Sequence, residues 1–516
     1  MRDNNPIIWA DFPDPDVIRV DDTYYMISTT MHFMPGGIIL RSYDLIHWEI
    51  ATYVYDVLDD TSGQRLEEDQ NIYGKGMWAA SLRYHKGTYY VCFVANDTKK
   101  TYLYQADDIM GPWKKQYIEG FYHDCSLLFD DDGKVYIVYG NTQIHLTELK
   151  ADLTGPMSCG LDRIIIKDEE DVTLGYEGAH IYKINGKYYV FLIHWLAKGS
   201  KRRVEACFVS DSLEGDFKGR DILDDDMNYY NAGVAQGGIV DTPEGLWYAM
   251  LFQDHGAIGR IPVLVPVKWK DDFPVFGVEG KVPHRLEISN TRPDYRYEAL
   301  VDSDDFHYVA DEQGHINLKK VWQWNHTPNH DLWSVIQKPG ALRLHSGKLS
   351  PNVVQASNTL TQRMIGPTCE ATVTVDGSGL KDGDYAGICA LQGCYGLIAL
   401  TRNAGKYELV MIAKELNPEE SIWGEPEGDR KPGREYERIS INNTKVTLKV
   451  RANFMQNVDE AYFYYQKNEK WYKLGITHKL HFRLDHFVGC RVGLFLFSTE
   501  ETGGIADFEQ FIYQIS

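Results

Sequence analysis

Three carboxylates occupy corresponding places along the chain. Asp14 opens Asp14-Pro15-Asp16-Val17-Ile18-Arg19, Asp124 opens Asp124-Cys125-Ser126-Leu127-Leu128-Phe129, and Glu177 opens Glu177-Gly178-Ala179-His180-Ile181-Tyr182. Each stands just before an apolar run that reads as a strand. If those strands line one axis, the three acids share one pocket. Like charges in one pocket repel, and their proton affinities are driven apart. One carboxyl held protonated beside one held ionised is what acid–base cleavage of a glycosidic bond requires. Singly, each acid also fits a turn residue or strand-start cap. The matched position in three repeats is what favours chemistry.

The elements that must gather these acids are hairpins. Five segments share one pattern, a turn residue followed by an aromatic or Val, then Tyr, then apolar alternation. Their Tyr positions are Tyr25, Tyr90, Tyr136, Tyr189 and Tyr248, at intervals of about 45–65 residues. Short strand-like runs precede most of them, such as Asp16–Arg19 and Ser126–Phe129, giving strand, tight turn, strand. Further strand-like runs follow in several repeats. Four strands per unit, five times over, predict a five-bladed β-propeller. Helical periodicity never persists beyond about two turns. The repeats stop near Trp269, and residues 281–300 read as a connector. From Asp304 onward about ten strands recur without the Tyr pattern, which predicts a two-sheet, jelly-roll or concanavalin-like β-sandwich. The fold class is therefore all-β, with a propeller over 1–285 and a sandwich over 300–516. The charged, Pro/Gly-rich segment Asn417–Glu435 reads as a long surface loop.

Composition narrows the partners. The chain has 516 residues and a formal charge of −21, with 43% apolar and 13% aromatic residues, including 34 Tyr and 12 Trp. That length exceeds one ordinary core of roughly 250–300 residues. The acidic excess argues against nucleic acid or an anionic membrane, which select Lys/Arg patches. A neutral substrate is indifferent to it. No apolar run is long enough to cross a membrane. The first residues lack the apolar core of a signal peptide, so the chain as written reads as cytoplasmic, or as periplasmic or secreted if a leader has been removed. The eight Cys show no metal or redox spacing and read as buried free thiols. A homo-oligomer is left open.

Taken together, these stretches resemble glycoside hydrolase family 43, in the group that joins a five-bladed propeller to a C-terminal sandwich. The matching strings are Pro13-Asp14-Pro15-Asp16, Arg41-Ser42 with Asp44-Leu45 and Trp48, Met77-Trp78-Ala79-Ala80, His123-Asp124-Cys125-Ser126, Glu177-Gly178-Ala179-His180 and Gly259-Arg260. In the second domain they are Trp322-Gln323-Trp324-Asn325-His326 and Ala506-Asp507-Phe508. The resemblance implies Asp14 as general base, Glu177 as general acid, and Asp124 as the carboxylate that raises and orients the acid. It implies Arg260 on the sugar hydroxyls and Trp78 and Phe33 as pocket wall. The loop at His486-Phe487 resembles one that narrows the pocket. The implied substrate is a carbohydrate, a plant hemicellulose oligosaccharide cut from its non-reducing end by an exo-acting, inverting β-xylosidase or α-L-arabinofuranosidase. A non-catalytic sugar-binding propeller and an endo-arabinanase are the alternatives.

The chain departs from the family in three places. Ala80 and Ala179 stand where Pro is usual. Gln236-Gly237-Gly238 stands where many relatives carry His near a central water or calcium, which puts a propeller calcium in doubt and leaves Gln236 to hydrogen-bond within the funnel. No cofactor is required. Asp304, Asp305 and Asp507 lie where related modules hold a structural calcium through oxygen ligands.

Overall fold

A computed structural model describes residues 3–168, 172–196, 199, 201–312, 314–419 and 427–516. Five four-stranded antiparallel sheets form the N-terminal part, each in simple up-and-down order. Their innermost strands are Asp16–Val20, Met77–His85, Ser126–Phe129, Leu174–Ile184 and Ala235–Asp241. Each repeated Tyr lies on the second strand of its blade, paired to the inner strand: Tyr25 to Ile18, Tyr90 to Arg83, Tyr136 to Leu128, Tyr189 to Tyr182 and Tyr248 to Val240. The pattern read from the sequence is thus the blade's own register.

One buried ion pair ties the blades at the axis. Arg83, on blade two, donates from Nη1 to Asp16 Oδ2 of blade one at 2.6 Å. It also donates to Ser126 Oγ (2.6 Å) and the Leu127 carbonyl (2.9 Å) of blade three, and to the Ile181 carbonyl of blade four (3.3 Å). Tyr182, under the same guanidinium, accepts the Ile239 N–H of blade five at 3.0 Å. Burial alone would raise the Asp16 carboxyl, but Arg83 and His180 outweigh it and hold Asp16 below its usual range. Gly238 is required here, because a Cβ would fall 2.5 Å from Asp16 Oδ1 and 2.6 Å from the Tyr182 hydroxyl. The ring closes as Gly238 donates its N–H to the Pro15 carbonyl (3.1 Å) and Arg19 pairs with Asp241.

The last propeller strand ends at Phe276 and the first later strand starts at Gln323. The chain between them is pinned to blade one, where Arg292 pairs with Asp22 and Tyr295 packs on Tyr43. The C-terminal part is two facing eight- and seven-stranded antiparallel sheets, with the short strand His478–Lys479 added to the second. Between them lies an apolar core that includes Val373, Ile388, Leu448, Phe463 and Leu494. The first sheet does not stop at the domain boundary. Its edge strand is Phe33–Met34 of the propeller, paired to Gln323–Asn325. The Arg491 guanidinium lies 3.5 Å over the Phe33 ring, and Arg363 donates to the Asp11 carbonyl. The two parts therefore share hydrogen bonds and a packed seam.

Two expectations change. Within Asn417–Glu435, residues 420–426 lie outside the described residues. Asp429 is buried, paired to Lys414 and His486, and Arg434–Ile441 forms an edge strand, so the segment is not all surface loop. All eight cysteines are free, and all but Cys159 are buried.

The axial pair yields a prediction. Arg83→Met removes the chief counter-charge and leaves the buried Asp16 carboxylate with only His180 and the Leu82 N–H, a loss of up to about 3–5 kcal/mol for a buried pair. Urea denaturation of the variant measures it, and a loss below about 1 kcal/mol would contradict the role given to Arg83.

Candidate active site

One backbone device recurs at four positions around the three acids. Asp14 (φ 52°), Asp124 (φ 47°) and Gln236 (φ 66°) each take the left-handed region just before or at the start of an inner strand, and Gly178 (φ 66°) does so after Glu177. That region is sparsely occupied by non-glycine residues, with Asp among the more tolerant. On blade four the register shifts on both sides of Glu177. Such bulges re-aim a side chain out of the ladder, here toward the axis.

Asp14 is 6% exposed and accepts from Arg260 Nη1 at 2.8 Å. Arg260, itself 2% exposed, donates from Nη2 to the Phe487 carbonyl (3.4 Å) and lies over the Phe487 ring at 4.2 Å. In this structure the arginine expected on sugar hydroxyls thus holds Asp14 and the sandwich loop. Asp124 accepts the Gly178 N–H at 3.3 Å. Glu177 accepts from Asn141 Nδ2 at 2.5 Å. His123 Nε2 lies 3.6 Å from Asp124 Oδ2 and 3.8 Å from Glu177 Oε2. Asp14, Asp124, Glu177 and Arg260 are therefore brought into one site.

The electrostatics follow the crowding. Burial raises the Asp124 carboxyl to about 6, His123 pulls it down, and Glu177 and Asp14 push it up. Asp124, expected to raise its neighbour, is the carboxyl on which the crowding shows. His123 is held charged up to about 9, chiefly by Asp124, against the opposing effect of burial, with Glu177 adding to it.

The other residues fall as follows. Trp78 donates its indole N–H to the Gly74 carbonyl (3.1 Å) and lies 5.5 Å from the His123 ring and 5.9 Å from Phe487. Phe33 is 1% exposed and packs with Met31, Val488 and Arg491, so it backs the wall rather than facing the opening. Gln236 donates its backbone N–H to Glu205 Oε2 at 2.7 Å, and its side chain lies against Gly178. His486 is buried against Tyr73 and Asp429, while Phe487 alone reaches the site.

The nearby acids Asp11 and Asp16 are otherwise engaged. Asp16 serves Arg83, and Asp11 accepts the N–H groups of Arg260 and Gly489, both at 2.8 Å. Three groups passed unnoticed in the sequence: His123, Asn141 and Glu205. His123 adjoins Asp124 in the motif, which was a usable signal. Asn141 and Glu205 carry none, because only the blade register brings them in.

Two trios place ligand atoms within 4.8 Å of one another, His123-Asp124-Glu177 and Asp429-Asp485-His486. In the first, the neighbouring carboxylates favour a proton on His123, which a cation would have to displace. In the second, Lys414 and Arg483 already neutralise the acids. Asp304, Asp305 and Asp507 form no such trio among the described residues. Asp304 accepts from Trp322 and Tyr308, Asp507 pairs with Arg343 and Lys338, and Asp305 faces solvent beside His307. Two of the three suggested calcium ligands, Asp304 and Asp507, thus already hold protein partners.

The model of glycosyl hydrolases family 43 matches residues 4–274. The chain belongs to that family. It is a glycoside hydrolase acting on carbohydrate, and residues 310–514 match the β-xylosidase C-terminal concanavalin A-like domain. A β-xylosidase of Formosa agariphila is 28% identical, with 99% of this chain and 90% of that protein covered. A structure described as a bifunctional GH43-CE of Bacteroides eggerthii is 40% identical with TM-score 0.90, covering 99% of this chain and 64% of that longer one. A family-43 enzyme engineered to show both endo-xylanase and exo-arabinofuranosidase activity is 27% identical with TM-score 0.85, covering 99% of each chain.

The His123–Asp124 contact has a pH consequence. His123 bound more tightly to its proton when folded contributes stability that is complete below about 6.5 and is lost as pH rises through about 9. Asp124, raised in the fold, runs with the same sign at lower pH, losing stability as pH rises toward about 6. In His123→Gln the chief counter-charge is gone, so the Asp124 carboxyl titrates above 6. Carboxyl ¹³C NMR of labelled Asp follows this, and an unmoved titration would contradict the coupling.

Proposed function

We propose that this glycoside hydrolase is an exo-acting, inverting enzyme that removes terminal β-D-xylosyl or α-L-arabinofuranosyl units from hemicellulose-derived oligosaccharides. The observation that carries the reading is the convergence of Asp14, Asp124 and Glu177 at one place, with Phe487 of a sandwich loop set against Arg260 and Trp78 beside them.

Asp14, turned by the Arg260 guanidinium, takes a proton from the attacking water. Glu177 gives its proton to the leaving oxygen. Its Oε2 already accepts from Asn141, so Oε1 is the oxygen left to carry that proton. Water adds to the anomeric carbon as the glycosidic bond breaks, and the two protons end on Asp14 and the departing alcohol. Asp124 and the charged His123 flank the acid and hold it in place. Trp78 offers an aromatic face for the C–H face of one sugar ring. Phe487 of the sandwich loop borders the Trp78 ring at 5.9 Å, which supports release from a chain end over an endo-arabinanase. All three carboxylates are present, which favours catalysis over simple sugar binding. Gln236 bound to Glu205 and the fixed cation of Arg83 at the axis support activity without an added metal.

The test is product analysis on xylo-oligosaccharides and arabinosylated xylo-oligosaccharides, with Asp14→Asn alongside. Monosaccharide appears first, and the variant loses on the order of 10²–10⁴-fold in kcat with binding retained. Early release of internal fragments, or a variant of near-normal rate, would overturn the reading.

A further inference from the structure

Glu205 sits on the third strand of blade four, paired to Ile193, which is paired in turn to Glu177. It is 1% exposed. Its Oε2 accepts the backbone N–H of Gln236 from blade five at 2.7 Å. Gln236 is held in the left-handed region (φ 66°), a conformation that is costly for a non-glycine residue. The Glu205 bond offsets that cost and fixes where the Gln236 side chain goes. It goes against Gly178: its Cγ and Cδ lie 2.8 and 2.9 Å from where a Cβ on Gly178 would stand. Gly178 follows Glu177 directly, and its N–H binds Asp124. A continuous line of contacts therefore runs from Glu205 through Gln236 to the peptide that links the two acids.

We infer that Glu205 is a positioning residue for the general acid: it locks the Gln236 turn, whose side chain backs Gly178 and seats Glu177 toward the leaving oxygen. This rests on Glu177 being the acid, as proposed above. Burial pushes the Glu205 carboxyl up to about 8, so a neutral amide of the same shape can take its place.

The test compares Glu205→Gln, Glu205→Leu and Gln236→Ala on xylobiose and on a dinitrophenyl xyloside, whose leaving group needs little protonation. Glu205→Gln keeps both rates within about twofold, since the acceptor for Gln236 is kept. Glu205→Leu loses on the order of 10- to 100-fold in kcat on xylobiose, the scale of a misplaced catalytic group. It loses only about threefold or less on the activated xyloside, with KM little changed on both. Gln236→Ala shows the same split, and decides the matter if Glu205→Leu does not fold. Equal losses on the two substrates, or none, would overturn the inference. Glu177→Ala runs beside them. If it lacks the split, the acid assignment itself fails; if it shows the split and the Glu205 and Gln236 variants do not, only the positioning role fails.

Discussion

The ion pair between Arg83 and Asp16 is the interaction on which the rest of the propeller depends. A charge at the axis of a ring of strands is expensive to bury, and is tolerated only when paired and fully hydrogen-bonded. Arg83 meets that condition by spending its donors on residues of three other blades. The same contacts fix how far each inner strand slides along the axis. That sliding decides whether Asp14, Asp124 and Glu177, each at the head of an inner strand, arrive at one level. The convergence of the three acids is thus a by-product of satisfying one buried cation. Counter-charges recur at the next level up, where Arg260 faces Asp14 and His123 faces Asp124 and Glu177.

The sandwich completes the site rather than decorating it. Asp11 accepts N–H groups from Arg260 and from Gly489, so one carboxylate joins the propeller's arginine to the sandwich loop. The loop's Phe487 then stacks on Arg260 and borders Trp78. With Phe33–Met34 built into a sandwich sheet, the wall of the pocket is fixed by both domains together. The net charge of −21 has little bearing on a neutral sugar. What matters is the small set of buried acids whose neighbours set their proton affinities.

Much of this was legible in the sequence, for a local reason. Turn residues, alternation and the repeated Tyr are signals within one hairpin, and they placed the second strand of each blade and the acid at the head of three inner strands. What was not legible depends on contacts between blades or domains. Asn141 and Glu205 reach the acids only through strand register. Asp304 and Asp507 looked like free oxygen ligands because their partners, Trp322 and Arg343, are brought to them by tertiary structure. Arg260 was placed in the pocket, but its bond to Asp14 is a long-range fact. The motif placed the base at Asp14, immediately before Pro15; what occupies Asp11 and Asp16 instead is seen only in their tertiary partners.

The central claim is that Asp14 directs water to one face of the sugar while Glu177 serves the other. Carboxyls with water between them lie roughly 6.5–9.5 Å apart and invert the anomeric centre. The direct measurement is time-resolved ¹H NMR of the first sugar released from an aryl β-xyloside. The account predicts α-xylose first, with the β-anomer growing only through mutarotation. β-Xylose as the first product would mean retention, and with it a covalent intermediate that this arrangement of acids is not read to make.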